Sequence, residues 1–148
     1  MFCITRGSNE QIFKRNEKNN FTKNAKWRTI NISKSKKKIC KKYSQDFFAT
    51  SEELKIGISD NVKSGIMPIN GLRHFPEGNT TGWYIWTGEY SAAPDFFKPM
   101  HLFHLQEYYP ELLKYLGLPP GNRFLIDDKG YEDVWFDEGL LIYDTQKS

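Results

Sequence analysis

Cysteine is nearly absent. Cys3 and Cys40 are the only two in 148 residues, too few for a disulfide framework and without the paired spacing of a zinc site. Long apolar runs are missing too, since nothing approaches the roughly 20 apolar residues that a bilayer-spanning helix needs. The first thirty residues hold no continuous apolar core of the kind a secretory signal carries. These absences point to a cytoplasmic protein without a membrane partner. Cofactor signatures are lacking as well. The stretch from Gly117 to Gly121 has no Lys-Ser/Thr of a phosphate loop, Ser91 has no Gly-x-Ser-x-Gly elbow, and no Cys/His arrangement suits nucleophilic catalysis. No cofactor is expected.

What is present is aromatic. Phe, Trp and Tyr make up 16% of the chain and apolar residues 39%, enough for one domain that buries roughly 68–70% of its unfolded surface. Charge is divided along the chain. Residues 1–50 carry 13 Lys/Arg against 3 Asp/Glu, whereas residues 51–148 carry 8 against 15. Up to about residue 35 the sequence is Asn, Lys and Arg with isolated Phe13, Phe21 and Trp27 and no sustained period, so residues 1–35 are expected to form a basic, disordered extension. Lys14, Arg15, Lys26, Arg28 and the lysines from Lys34 to Lys42 offer an alternative reading as a nucleic-acid contact through phosphate neutralisation. That contact is not the favoured one, because a bare charge run carries little specificity.

From residue 36 the pattern changes. Ile39, Tyr43 and Phe47 recur every four residues beside Cys40, predicting an amphipathic helix that ends by Thr50 with Cys40 in the core. Lys55–Ser59 reads as a strand, and Ile66–Ile69 as an extended segment that Pro68 pushes to a sheet edge. Asn70-Gly71 signals a turn. Trp83–Trp86, with large side chains on both faces, reads as a central strand covered on both sides. A short helical turn is expected between Ser91 and Phe97. Pro110 opens a short helix near 110–116, with Leu112, Leu113 and Leu116 on its apolar face and Gly117 as its stop. Arg123–Ile126 and Tyr131–Phe136 flank Asp127-Asp128-Lys129-Gly130 as an antiparallel hairpin. The class is therefore α+β: one small domain over residues 36–143 with a mainly antiparallel sheet, and a frayed tail over 144–148.

Few residues suggest chemistry. His101 and His104 are spaced to share a metal, with Glu107 or Glu111 to complete it, which would make the chain a small metal-assisted hydrolase. However, there is no His-Glu-x-x-His pattern, and Leu102, Phe103 and Leu105 interleave with them. Glu89 and Asp95 flank a loop as a carboxylate pair, with no neighbouring nucleophile to serve. The residues name no catalytic group and no metal site beyond this His alternative. Asp127, Asp128, Glu132 and Asp133 gather around the hairpin turn, with Asp137 and Glu138 at its far end. Repulsion among them calls for solvent or a positive partner, so these six are the candidate partner-binding residues. The plainer reading is a soluble turn, since Asp and Gly are also what a turn needs.

One ordered succession carries more. Gly82-Trp83-Tyr84-Ile85-Trp86, Gly88-Glu89, Asp95-Phe96-Phe97, Pro99-Met100-His101, His104-Leu105, Pro110-Glu111, Lys114 through Gly121, Arg123–Ile126 and Tyr131–Asp137 resemble the immunity protein 33-like domain of bacteria. More distantly they resemble a related immunity domain of unknown function. The likeness extends upstream through Ile39–Tyr43 and Ile69–His74, covering about residues 36–142. It implies a cytoplasmic, non-catalytic protein that neutralises a cognate polymorphic toxin by binding it and is encoded beside that toxin. No catalytic residues come with the family, and the oligomeric state is not specified.

Overall fold

The computed structural model describes residues 32–142. The chain divides into Met1–Ser35 and Lys36–Ser148, and the fold that follows is that of the second part. Apart from its last few residues, the expected basic extension lies outside the described residues, as do the basic groups Lys14, Arg15, Lys26 and Arg28 and the frayed tail.

The class is α+β. A six-stranded sheet is ordered β4-β1-β3-β2-β5-β6, with β1 at Lys55–Ser59, β2 at Ile69–Arg73, β3 at Thr80–Thr87, β4 at Phe97–His101, β5 at Asn122–Ile126 and β6 at Glu132–Phe136. Every neighbouring pair is antiparallel except β1 with β3. A helix, α1, covers residues 32–42, a second, α2, spans Leu102–Tyr108, and 3-10 turns occupy Asp60–Ser64, Pro110–Tyr115 and Glu138–Leu141.

Helix α1 is shorter than its apolar spacing predicts. Ser44 takes a left-handed φ of 56°, the Gln45 N–H donates to the Cys40 carbonyl at 2.8 Å and the Ser44 N–H to the Lys41 carbonyl at 3.2 Å. This is the hydrogen-bond pattern of a Schellman stop. Phe47 therefore lies outside the helix in a segment without regular secondary structure, while Ile39 and Cys40 are buried as expected.

Two further expectations are corrected. Asn70-Gly71 makes no turn but lies mid-strand in β2, an interior strand, so Pro68 precedes the strand rather than marking an edge. Gly71 is there because a Cβ would sit 2.1 Å from the ring of Phe124. The region around His101, for which the sequence offered no strand, is strand β4 running into α2. The short turn expected between Ser91 and Phe97 is a single one, closed by the Phe96 N–H donating to the Ala93 carbonyl at 3.0 Å.

The core lies on one sheet face. Ile58, Ile85, Gly71, Phe124 and Val134 stand in one register row across five strands, and the four side chains among them are buried. Tyr115, from the 110–115 turn, stacks on Phe124 at 4.5 Å. The loop after that turn is pinned by three donors to a single acceptor. Thr50 Oγ1, Arg73 Nη1 and Trp83 Nε1 donate to the Leu116 carbonyl at 2.9, 3.3 and 3.3 Å. Arg73 also donates to the carbonyls of Leu118 at 2.7 Å and Thr81 at 3.0 Å, and its guanidinium lies 4.7 Å from the Phe48 ring centre and 5.5 Å from that of Trp83. No carboxylate pairs with it among the described residues. Burial lowers its pKa to about 10, so it stays charged at neutral pH and is held by carbonyl dipoles and ring faces.

Two stability outcomes follow. Arg73→Met removes the donor from Leu118 and should cost about 3 kcal/mol in urea unfolding, and Arg73→Lys should recover less than half, because an ammonium lacks the planar fork. A loss below about 1 kcal/mol for Arg73→Met would contradict the assignment. Gly71→Ala should cost about 2–3 kcal/mol, since the ring it meets is itself packed on both sides.

Candidate partner-binding surface

The hairpin β5–β6 distributes the six acidic candidates among different environments. Glu132 and Asp133 are consecutive in a strand, so their side chains leave opposite faces. Glu132 turns inward. Its Oε1 accepts from Lys42 Nζ at 2.6 Å and Tyr43 OH at 2.9 Å, and its Oε2 from Tyr115 OH at 2.5 Å, with Lys114 Nζ at 3.3 Å. Burial would raise the Glu132 pKa, but the bonds from Lys42, Tyr115 and Tyr43 and the charge of Lys114 outweigh it and bring the carboxyl to about 2. Reciprocally, the Tyr115 hydroxyl is pushed up, first by burial and then by its bond to this carboxylate.

Asp127 and Asp137 shape the backbone. Asp127 Oδ1 accepts from the N–H groups of Lys129 and Tyr131, both at 2.8 Å, closing the hairpin turn. Asp137 caps the Glu138–Leu141 turn by accepting from Gly139 N–H at 3.0 Å, and its other oxygen pairs with Arg123 at 3.0 Å. Asp128, Asp133 and Glu138 are exposed and have no ion pair or side-chain hydrogen bond among the described residues. They sit at the hairpin tip, along β6, and just past its end.

The sheet face opposite the core is aromatic. Pro99, Gly57, Tyr84, Leu72, Arg123 and Trp135 face one another in register from β4 to β6. Phe97 meets Tyr84 edge-on at 5.1 Å and Tyr90 meets Trp86 at 5.5 Å. At the far side the Arg123 guanidinium lies 5.7 Å from the Trp135 ring centre. Tyr90 is 60% exposed and Trp135 38%, so this face offers wettable rings at both ends.

His101 and His104 are brought near each other, with ring centres 6.4 Å apart beside Glu52, Glu53 and Phe103. His101 Nδ1 lies 3.3 Å from the Glu53 carbonyl oxygen. Among the described residues, no group of three or more His, Cys, Asp and Glu is placed to hold a metal ion. Glu89 and Asp95 are exposed in the β3–β4 connection.

Sequence reasoning missed the basic and phenolic partners of Glu132. Lys42 and Tyr43 lie about ninety positions away in the chain, and no local spacing could pair them. The family comparison now adds its own finding. The Imm33-like domain model matches residues 35–137. The chain belongs to the Imm33-like domain family. No curated protein and no solved structure matches it. Within this Imm33-like domain, the hairpin fixes three carboxylates structurally and leaves three facing water. Among the described residues no helix is long and apolar enough to cross a membrane.

Glu132 gives a pH signature with a definite sign. Its folded-state pKa lies below the ordinary 4.5, so its stabilisation is present above about pH 4.5 and is lost as pH falls toward 2. Glu132→Gln should lower stability at pH 7 by about 2 kcal/mol, and thermal melts of variant and parent should converge across that acidic window. A pH-independent gap would show that its charge is not what matters.

Proposed function

We propose that this protein is a non-catalytic, cytoplasmic immunity protein of a bacterial polymorphic toxin system, which binds its cognate toxin and neutralises it by occupancy. Membership of the Imm33-like family carries this reading. Asp128, Asp133 and Glu138 support it, because they face water without a cation partner among the described residues, open to a basic protein, while Glu132, Asp127 and Asp137 hold the hairpin in shape. Charge of this kind speeds capture, and rigid aromatic rings beside it supply contact area at little entropic cost. A neutralising interface is expected to bury on the order of 1,600 Å², more than the three carboxylates alone could cover, so the rings of the open sheet face belong to the same surface.

The test is co-production with the candidate toxin that the immunity reading expects to be encoded beside this gene. Cells making both should grow, and cells making the neighbour alone should not. With purified proteins, Asp128→Lys combined with Asp133→Lys should slow association about tenfold at low salt and change dissociation much less. Absence of both protection and binding would remove the immunity reading, and an unchanged association rate would move the interface off the hairpin.

A further inference from the structure

The two edges of the sheet are built differently, and main-chain hydrogen-bond parity shows how. In an antiparallel pair, alternate residues direct both backbone groups at the partner strand and the residues between direct them away. For β5–β6 the parity is fixed at both ends of the ladder. Asp127 N–H donates to the Tyr131 carbonyl at 3.2 Å and Asp137 N–H to the Gly121 carbonyl at 2.7 Å. In the register that pairs Phe124 with Val134, Asp133 and Trp135 therefore face β5. Glu132, Val134 and Phe136 direct their N–H and C=O groups outward, and none of these groups has a backbone partner beyond the ladder among the described residues.

At the opposite edge, the Leu102 N–H donates to the Leu54 carbonyl at 3.1 Å, so Met100 and Lys98 face β1, and Phe97, Pro99 and His101 point outward. The middle outward position is thus a proline, which has no N–H to offer. That edge is blunted in the usual way. β6 has no such protection: it contains no proline, and its outward N–H and C=O groups are regularly spaced.

We propose that β6 is a docking edge that accepts a basic, extended segment of the partner protein as an added antiparallel strand. The occupant is specified by charge. Asp128 lies at one end of the edge, Asp133 within it and Glu138 at the other end, all exposed and unpaired with any cation among the described residues. A second copy of this chain is a poor fit. A two-fold pairing centred on Val134 satisfies the outward backbone groups but carries Glu138 of one copy toward Asp128 of the other, setting like charges together. A strand bearing lysines or arginines meets exposed carboxylates at the middle and both ends of the edge, beside one lysine, Lys129, at the tip, while gaining the same main-chain bonds. Trp135 and Phe136, 38% and 51% exposed on opposite faces of β6, would flank it above and below.

This inference rests on the proposed binding role but is tested apart from it. The probe is a short capped peptide alternating lysine and valine, added at millimolar concentration to the isotope-labelled full chain. Amide exchange at Glu132, Val134 and Phe136 should slow about fivefold, and Asp133 and Trp135, already bonded to β5, should not change. A glutamate-for-lysine peptide and a lysine peptide methylated at alternate backbone nitrogens should both lose the effect. Asp128→Lys with Asp133→Lys should weaken it about tenfold. The proposal is overturned if the lysine peptide protects none of these amides or if the methylated peptide protects them equally. Protection arising from concentration-dependent dimers without peptide would also overturn it, in favour of a second copy. If the neighbouring gene product binds while the peptide does nothing, the edge is wrong and the immunity reading stands. If the peptide protects the edge and that product does not bind, the reverse holds.

Discussion

A single buried cation ties this domain together. Arg73 lies at the end of an interior strand, where removing a guanidinium from water would be prohibitive without compensation. The compensation is entirely neutral: three main-chain carbonyls, a threonine hydroxyl and two aromatic rings. Because the carbonyls belong to β3 and to the loop after the 110–115 turn, the same contacts that keep the charge tolerable also fasten that loop to the sheet. Tyr115 is thereby held against Phe124, and its hydroxyl is delivered to Glu132. The geometry of the hairpin thus depends on a residue far from its tip.

That dependence bears on function. In the proposed binding role the domain works by presenting a fixed shape, and the shape proposed is the β5–β6 hairpin with its flanking rings. Glu132 anchors the inner face of the hairpin to α1 through Lys42 and Tyr43. Asp127 and Asp137 set its two ends. With those three acids consumed in construction, the remaining three face water at the hairpin tip, along β6 and just past its end. The acidic sequence run therefore combines scaffold and surface, divided within β6 by the period-two alternation of a strand and at its ends by turn and cap bonds.

Much of the fold was legible in the residues. The β5–β6 hairpin, β1, the central position of β3 and the burial of Cys40 all follow from local pattern, because period, turn chemistry and tertiary packing agree there. The failures are equally local in cause. Asn70-Gly71 has the chemistry of a turn, but its glycine answers to the Phe124 ring from a strand fifty residues later. Phe47 continues the four-residue spacing of α1, yet the chain stops at a left-handed Ser44, a position more often held by Gly or Asn. β4 was hidden because a segment holding Pro99, Lys98 and His101 does not look like a strand. For the surface, composition located the acidic hairpin, but only the three-dimensional register separates Glu132 from its neighbours.

The strand order has a consequence for synthesis on the ribosome. β1 is made first but sits between β3 and β4, so it has no sheet partner until Thr80 and the residues after it emerge, and no second one until His101 does. β2 likewise waits for β3 on one side and for β5 on the other. During translation the early strands must remain unpaired while their partners are made, a period in which an apolar Ile56 and Ile58 are open to wrong association. In a chain so arranged, the earliest strands are completed by the later ones.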